Sequence, residues 1–340
     1  MNYNVERKRC KCCVLPETEG YIPLNENGLC PICTKHRQLE EKGGGIDGLS
    51  PEARLDLLKK KVSRFTKDAG KYDCAVSVSG GKDSIMTLYI AKEILHLNPL
   101  AVFIDNGFAL EEMYHNVRNA TDVLGVDLVV FKTADVLDIF QKCLQSGKKI
   151  YYCRVCHALI DKAVRDVCRQ NGIRLVLGGY TKGQQYIRNF ELFWIYEESD
   201  RNIIDILSQD DKYAELTEMY SNQPKYFREH YGDIVQLSPF KYIEWNEGEI
   251  LSLITEKLGF TLPKRSWPDK SSNCSFNYVA QYLAMKQFGY AQHETELSDM
   301  VRAGELSRQR ALEIISTPIE DTDLIPPLAK MGYSLSDILK

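Results

Sequence analysis

From Asp73 onward the chain alternates short, almost fully apolar runs with amphipathic stretches. DCAVSVS, PLAVFID, DLVVFKT and, as the last of the set, RLVLGG have strand length, and apolar runs that short and continuous belong to strands buried on both faces. Between them the spacing predicts helices over Asp83–Leu95, around 110–124, after DLVVFKT, and over 157–170. In the last of these, Ile160, Ala163, Val164 and Val167 share one face. The expectation is an α/β fold with a parallel sheet covered by helices on both sides, whose ligands bind beyond the carboxyl ends of the strands.

Upstream, EEKGGGIDGLS is a glycine-rich break, and PEARLDLLKKKVSRFTKDA predicts a helix opening at Pro51 with Ser50 as its cap. Downstream, EGEILSLITEKLGF, NYVAQYLAMKQFG and ETELSDMVRAGELSRQRALEII are helical, with Leu297, Met300, Val301, Leu306 and Leu312 as a core-facing stripe. WPDKSSNC, with Pro268 and its serine pair, breaks helix and is expected to cross back over the ligand site. Three units follow: 1–45, a cysteine knuckle; 46–190, the α/β unit; and 191–340, a mostly helical substrate domain.

The 340 residues carry 43 basic and 47 acidic side chains, a net charge of −4, so no global basic field points to nucleic acid or membrane. The runs Arg7-Lys8-Arg9-Lys11 and Lys59–Lys61 are expected to be solvated faces. The opening MNYNVERKRCKCC lacks a secretory core, and no segment approaches the ~18 uninterrupted apolar residues of a membrane span, so a cytoplasmic protein is expected. In a reducing compartment eleven cysteines point to metal or sulfur chemistry rather than disulfides.

Cys10-x2-Cys13 and Cys30-x2-Cys33, 16 residues apart, have the spacing of a zinc ribbon. The segment between them, VLPETEGYIPLNENGL, has too few apolar residues to fold without such a staple, and Cys12 and His36 stand as substitute ligands. Unliganded reduced thiols are the alternative.

At the end of the first strand, Ser79-Gly80-Gly81-Lys82-Asp83-Ser84 joins two glycines, a lysine and hydroxyls to a helix N-terminus, the makings of a phosphate loop. It is not a Walker A loop, because Asp83 follows the lysine directly, and no GxGxxG is present. SGGKDS after a first strand resembles the PP-loop of the ATP pyrophosphatases, whose domain is Rossmann-like (HUP-type). That resemblance implies ATP and Mg²⁺, cleavage between the α- and β-phosphates, pyrophosphate held by Ser79 to Ser84, and adenylation of a substrate oxygen. Lys82 and Asp83 would be catalytic. It also implies adenosine at the end of the second strand, with Val102 to Ile104 reading the ring edge and Asp105 beside it, and the turn Gly178-Gly179 near the α-phosphate. The GGYTKGQQ stretch holds no acidic residue for a metal, while Lys182 and Arg188 are candidates for neutralising phosphate or a substrate anion.

Cys153-x2-Cys156, just before the 157–170 helix, gains thiolate character from the helix N-terminus and from Arg154. Cys274, in the polar turn SSNCSFN, is a third poised thiol, whereas Cys74, Cys143 and Cys168 fall in strand or helix patterns as buried packing. Zinc knuckle, SGGKDS, CxxC and a late cysteine together resemble the tRNA-thiolating PP-loop enzymes. The resemblance implies a [4Fe-4S] cluster on Cys153, Cys156 and Cys274 and a sulfur donor; a second zinc site or plain thiols are the alternatives. The opening CVLPETEGYIPLNENGLCPIC and the closing FGYAQHETELSDMVRAGELSRQRALEII resemble instead the N-acetyl-sugar amidotransferases, which use ammonia from a partner glutaminase but typically carry Gly-Glu-Asn where this chain has Gly-Gly-Tyr, and no CxxC. The three thiolates favour sulfur transfer over amidation, since amidation has no use for them. A nucleotide-sensing scaffold is a third class, disfavoured by the intact loop. No RNA-binding module is evident, so a small molecule or sugar is favoured over tRNA as substrate, and a homodimer is expected.

Overall fold

The computed structural model describes residues 7–40, 48–180, 193–267 and 272–339. After a cysteine knuckle come α1 (Pro31–Glu40) and α2 (Pro51–Thr66), the latter opened by Ser50, whose side chain accepts the Ala53 N–H as expected. Next follow β1 (Cys74–Ser77), α3 (Lys82–Tyr89), β2 (Pro99–Asp105), α4 (Glu111–Leu124), β3 (Asp127–Lys132), α5 (Asp135–Ser146), α6 (Tyr152–Gln170) and β4 (Leu175–Gly178). The remainder holds α7 (Phe193–Leu207), α8 (Ala214–Ser221), α9 (Gln223–Tyr231), β5 (Val235–Leu237), α10 (Glu247–Leu258), α11 (Asn277–Phe288), α12 (Gln292–Arg302), α13 (Arg308–Ile315), α14 (Asp321–Lys330) and α15 (Leu335–Leu339).

The strands form one parallel sheet in the order β3-β2-β1-β4-β5. Every residue of β2 and β4 is buried, which is why their sequences are continuous apolar runs, while β3 lies at an edge with Val130 and Phe131 exposed. One face is covered by α2, α3, α4 and α10 through Leu58, Ile85, Val117 and Ile254, the other by α5, α6, α7, α8 and α9. Chain order reverses about β1, so a crevice opens at its carboxyl end between β1 and β4.

Three sequence-based expectations change. RLVLGG is not the last strand: Val235–Leu237 adds a fifth, drawn from the region expected to be a separate helical domain, and Phe240, Tyr242 and Ile250 pack with the sheet layer. Three residues are too few for a strand pattern to stand out. The helix expected over 157–170 begins at Tyr152, because buried Tyr152, Val155 and Leu159 carry the apolar face back another turn, so both cysteines of the CxxC lie inside it. The helix expected over 83–95 is α-helical only to Tyr89, then widens to a π-turn over Ile90–Ile94.

Two long-range contacts hold the site end of the sheet. The carboxamide of buried Asn116 on α4 donates to the carbonyls of Gly80 and Thr261 and accepts the Thr261 N–H, each at 2.9 Å. The cysteine knuckle packs on the far end of the chain: Val14 sits with Leu297, Ala311 and Ile315, and Arg9 pairs with buried Glu294 at 2.7 Å. The stripe expected from Leu297 onward is the face that receives it, split between α12 and α13 at Gly304.

Asn116→Ala leaves buried backbone groups of two segments unpaired and is expected to lower the unfolding free energy by about 3 kcal/mol in a urea titration. An unchanged midpoint would show that this clamp contributes nothing.

Candidate active site and cysteine metal centre

A cavity of about 310 Å³ opens at the carboxyl end of the sheet, within the size range of small-molecule sites. Its floor is the phosphate loop. Gly80 has φ +82°, and a Cβ there would meet the Met113 backbone at 2.5 Å; Gly179 approaches the first turn of α3 so closely that a Cβ would lie 2.7 Å from the Asp83 backbone. The loop is wired internally: the Ser79 N–H donates to Ser84 Oγ at 3.0 Å, and that hydroxyl donates to the Gly81 carbonyl at 2.9 Å. The amides at the start of α3 are thereby aimed at the crevice, the arrangement that binds anions.

Lys82 lies 3.4 Å from Glu247 and 3.5 Å from Asp83 and stands over the Trp245 ring. Burial works against its charge, but the two carboxylates outweigh it and hold Lys82 above its ordinary range. Asp83 in turn accepts the Trp245 indole N–H at 2.7 Å. Trp245 and Glu247 were missed from sequence because nothing in EWNEGE carries a motif; only the fold brings them to the loop.

Residues 268–271 of the segment expected to cross back lie outside the described residues; from Ser272 onward it lies over the cavity. It is held by a short antiparallel pairing with the turn that follows β2: the Leu110 N–H donates to the Asn273 carbonyl at 3.0 Å and the Ser275 N–H to the Phe108 carbonyl at 2.8 Å. Asn273 then donates to Ser79 Oγ at 2.8 Å, and Cys274 joins the cavity wall with Cys153 and Cys156. Pro268, Ser271, Lys182 and Arg188 lie outside the described residues. Of the other expected site residues, Ser79, Gly81, Lys82, Asp83, Ser84 and Ile104 line the cavity, as do Gly178 and Gly179, while Gly80 shapes the loop from behind. Asp105 does not line it: its carboxylate accepts the Gly107 N–H and the Tyr114 hydroxyl, both at 2.8 Å, and so caps the turn. Its neighbour Asn106 faces the thiols, donating to Cys156 Sγ at 3.4 Å.

The thiolate character expected from helix and Arg154 is reversed. Arg154 is turned away into a two-pronged pair with Asp200 at 2.7 and 2.8 Å. Burial dominates at all three sulfurs, raising Cys153 well above its ordinary value, Cys156 to about 11 against the opposing Asn106 hydrogen bond, and Cys274 to about 12. In the metal-free chain these are neutral thiols, with Cys153 donating to Asn277 Oδ1 at 3.4 Å. Cys74, Cys143 and Cys168 are buried packing, as expected.

The four cysteines of the knuckle, all buried, bring their sulfurs within 4.8 Å of one another, the only such group among the described residues; neither Cys12 nor His36 belongs to it. Backbone N–H groups of Leu15, Cys30 and Cys33 point at sulfurs, and Arg302, paired with Asp299, reaches Cys33 Sγ at 3.6 Å. Arg308 binds the carbonyls of Cys10 and Cys13. The sulfurs share protons through mutual hydrogen bonds, which drive Cys10 down and Cys33 up. A metal ion needs them as thiolates, and buried Arg302 supplies charge to offset them.

Fold and loop together define a nucleotide-utilising α/β domain of the PP-loop, or adenine nucleotide alpha hydrolase-like, superfamily. More specifically, the chain belongs to the phosphoadenosine phosphosulfate reductase domain family, whose model matches residues 73–256, from the start of β1 into α10. It is 25% identical over 334 residues to the uncharacterized protein MJ1599 of Methanocaldococcus jannaschii, covering 96% of this chain and 100% of that one. Among solved structures it is similar to the U34-tRNA thiolase NcsA from Methanococcus maripaludis with its [4Fe-4S] cluster, at 16% identity and a TM-score of 0.39, over 91% of this chain and 89% of that chain. It is also similar to the NH3-dependent NAD synthetase from Campylobacter jejuni in complex with the nitrate ion, at 13% identity and a TM-score of 0.39, over 79% and 98%. No helix among the described residues is long and apolar enough to cross a membrane.

Because the three cavity thiols are held protonated, alkylation of Cys156 by iodoacetamide in metal-free protein at pH 8 is expected to run roughly a hundredfold slower than that of a free cysteine. The rate should climb as pH rises toward 11. Reaction as fast as a free thiol at pH 8 would contradict the buried, neutral state.

Proposed function

We propose that this chain is an ATP-dependent sulfur-transfer enzyme that adenylates a substrate oxygen and then exchanges it for sulfur. The observation that carries the reading is the meeting of Cys153, Cys156 and Cys274 in the same cavity as the phosphate loop, although 117 residues separate the second and third. In the first half-reaction the substrate oxygen bonds to the α-phosphorus and the bond to the β-phosphate oxygen breaks. The leaving pyrophosphate is received by the α3 amides and Lys82, with Mg²⁺ sharing the charge. Breaking the Lys82 contacts to Glu247 and Asp83 frees the ammonium for phosphate. In the second half-reaction sulfide bonds to the activated carbon and the carbon–oxygen bond to AMP breaks.

The three thiols do not close to single-ion spacing, unlike the knuckle set, which argues against a second zinc site and suits a polynuclear group. The group we assign to them is a [4Fe-4S] cluster, which when bound supplies an open iron for sulfide. Asn106 would donate to its ligand sulfur on Cys156, and burial would keep it dry. Zinc is assigned to Cys10, Cys13, Cys30 and Cys33, as a structural ion that joins the two ends of the chain. The substrate is taken to be a small molecule or sugar, with a separate sulfur donor, and the protein to be cytoplasmic and homodimeric.

Metal and acid-labile sulfide content of anaerobically purified protein separates this reading from ammonia-dependent amidation with a glutaminase partner. About four irons with sulfide beside one zinc are expected, the irons lost in Cys153→Ala and the zinc kept. One zinc and no iron, even after anaerobic reconstitution, would sink the sulfur reading and leave amidation. Lys82→Ala should retain the iron yet bind ATP at least ~10-fold more weakly by calorimetry; unchanged ATP affinity would remove the lysine from the phosphate site.

A further inference from the structure

At the first turn of α12, His293 and Glu296 line the same cavity as the thiols and the phosphate loop. We propose that His293, oriented by Glu296, is the catalytic base that takes up the proton released when the acceptor oxygen is activated; this rests on the adenylation half of the proposed function. His293 Nδ1 lies 2.9 Å from Glu296 Oε2, so the carboxylate accepts the Nδ1 proton and the lone pair is left on Nε2. The Trp267 ring stands edge-on to the imidazole, 5.6 Å between centroids at 76°, and fixes its plane.

Nε2 receives a hydrogen bond from Asn277 Nδ2 at 2.7 Å. The same nitrogen also reaches the Trp267 carbonyl and, at 3.1 Å, Ser272 Oγ. An amide nitrogen has two protons, and three acceptors surround it. Releasing His293 therefore leaves both protons paired, and the lone pair passes to an incoming N–H without orphaning a buried donor. Titratable groups sharing the cavity are Glu296 on the same helix, Cys153, Cys156 and His157 from α6, Cys274 from the returning segment, Tyr180 after β4, and Lys82 and Asp83 of the loop. Cys153 connects to His293 through the Asn277 carboxamide.

The chemistry calls for such a group. When a carbonyl oxygen flanked by N–H attacks the α-phosphorus, the oxygen–phosphorus bond forms and pyrophosphate leaves with its electron pair. The N–H electrons then become the second C–N bond, and the proton must go to a base. His293 Nε2 takes it, the resulting imidazolium is held by Glu296, and the proton later leaves to water. The step is the same whether sulfide or ammonia follows.

The test uses the metal-loaded protein with ¹⁵N-labelled histidine, wild type and Glu296→Gln, observed by NMR, with diethyl pyrocarbonate as the probe of access to Nε2. The expected result is an Nδ1–H tautomer for His293, shifted toward Nε2–H in Glu296→Gln and recovered in Glu296→Asp, and carbethoxylation at His293 that is absent from His293→Gln. ATP affinity should be unchanged in His293→Gln, since the residue lies off the loop. An Nε2–H tautomer in the wild type, a tautomer balance unmoved by Glu296→Gln, or no carbethoxylation of the folded protein at His293 would each overturn the assignment. Iron measured on the same samples keeps the two ideas apart: normal iron with the wrong tautomer fails the base alone, and absent iron with the expected tautomer fails the sulfur reading alone.

Discussion

The site depends on two backbone hydrogen bonds between distant segments, Leu110 to Asn273 and Ser275 to Phe108. Nothing in the sheet itself would bring residues beyond 260 to the carboxyl end of β2. Once paired there, Asn273 reaches the loop serine, Cys274 meets the α6 cysteines, and Asn277 stands between Cys153 and His293. A pairing of one or two rungs is marginal alone; the packing of Phe276 against Phe108 and Phe140, at 5.0 and 4.5 Å between ring centroids, adds the apolar contact that makes it hold.

Burial of polar groups sets the chemistry as much as the groups' identity does. Three thiols in an apolar wall resist ionisation, and only a strongly electrophilic partner such as a metal centre overcomes that cost. At the other pole, Arg302 is buried beside the sulfurs of Cys13, Cys30 and Cys33 with Asp299 next to it, a charge arrangement that makes sense when the sulfurs are anionic. The two cysteine groups thus differ in kind: one converges to the spacing of a single ion with a cation behind it, and the other is spread around an open cavity.

The sheet and the loop were legible because burial on both faces writes itself into sequence as uninterrupted apolar runs, and because a phosphate loop needs small residues at fixed places. The knuckle was legible from spacing alone. What escaped was everything that tertiary contact decides. Arg154 is the immediate sequence neighbour of Cys153 but answers to Asp200. Asp105, at the end of a strand where ligands bind, turns back to cap its own turn while Asn106 takes the cavity-facing position. Trp245, Glu247, His293 and Glu296 sit in unremarkable helical or loop sequence; only the fold sets the first two on the loop side chains Asp83 and Lys82 and the last two in the cavity wall.

The knuckle's seat on α12 and α13 bears on how the protein folds. Val14 of the knuckle packs on Leu297, Ala311 and Ile315, nearly three hundred positions away in sequence, so the contact closes a very long loop and carries a high entropic cost. A metal ion on the four cysteines would order the knuckle from within, before that loop has closed. Without it, α12 and α13 would meet no folded surface to pack against on that side.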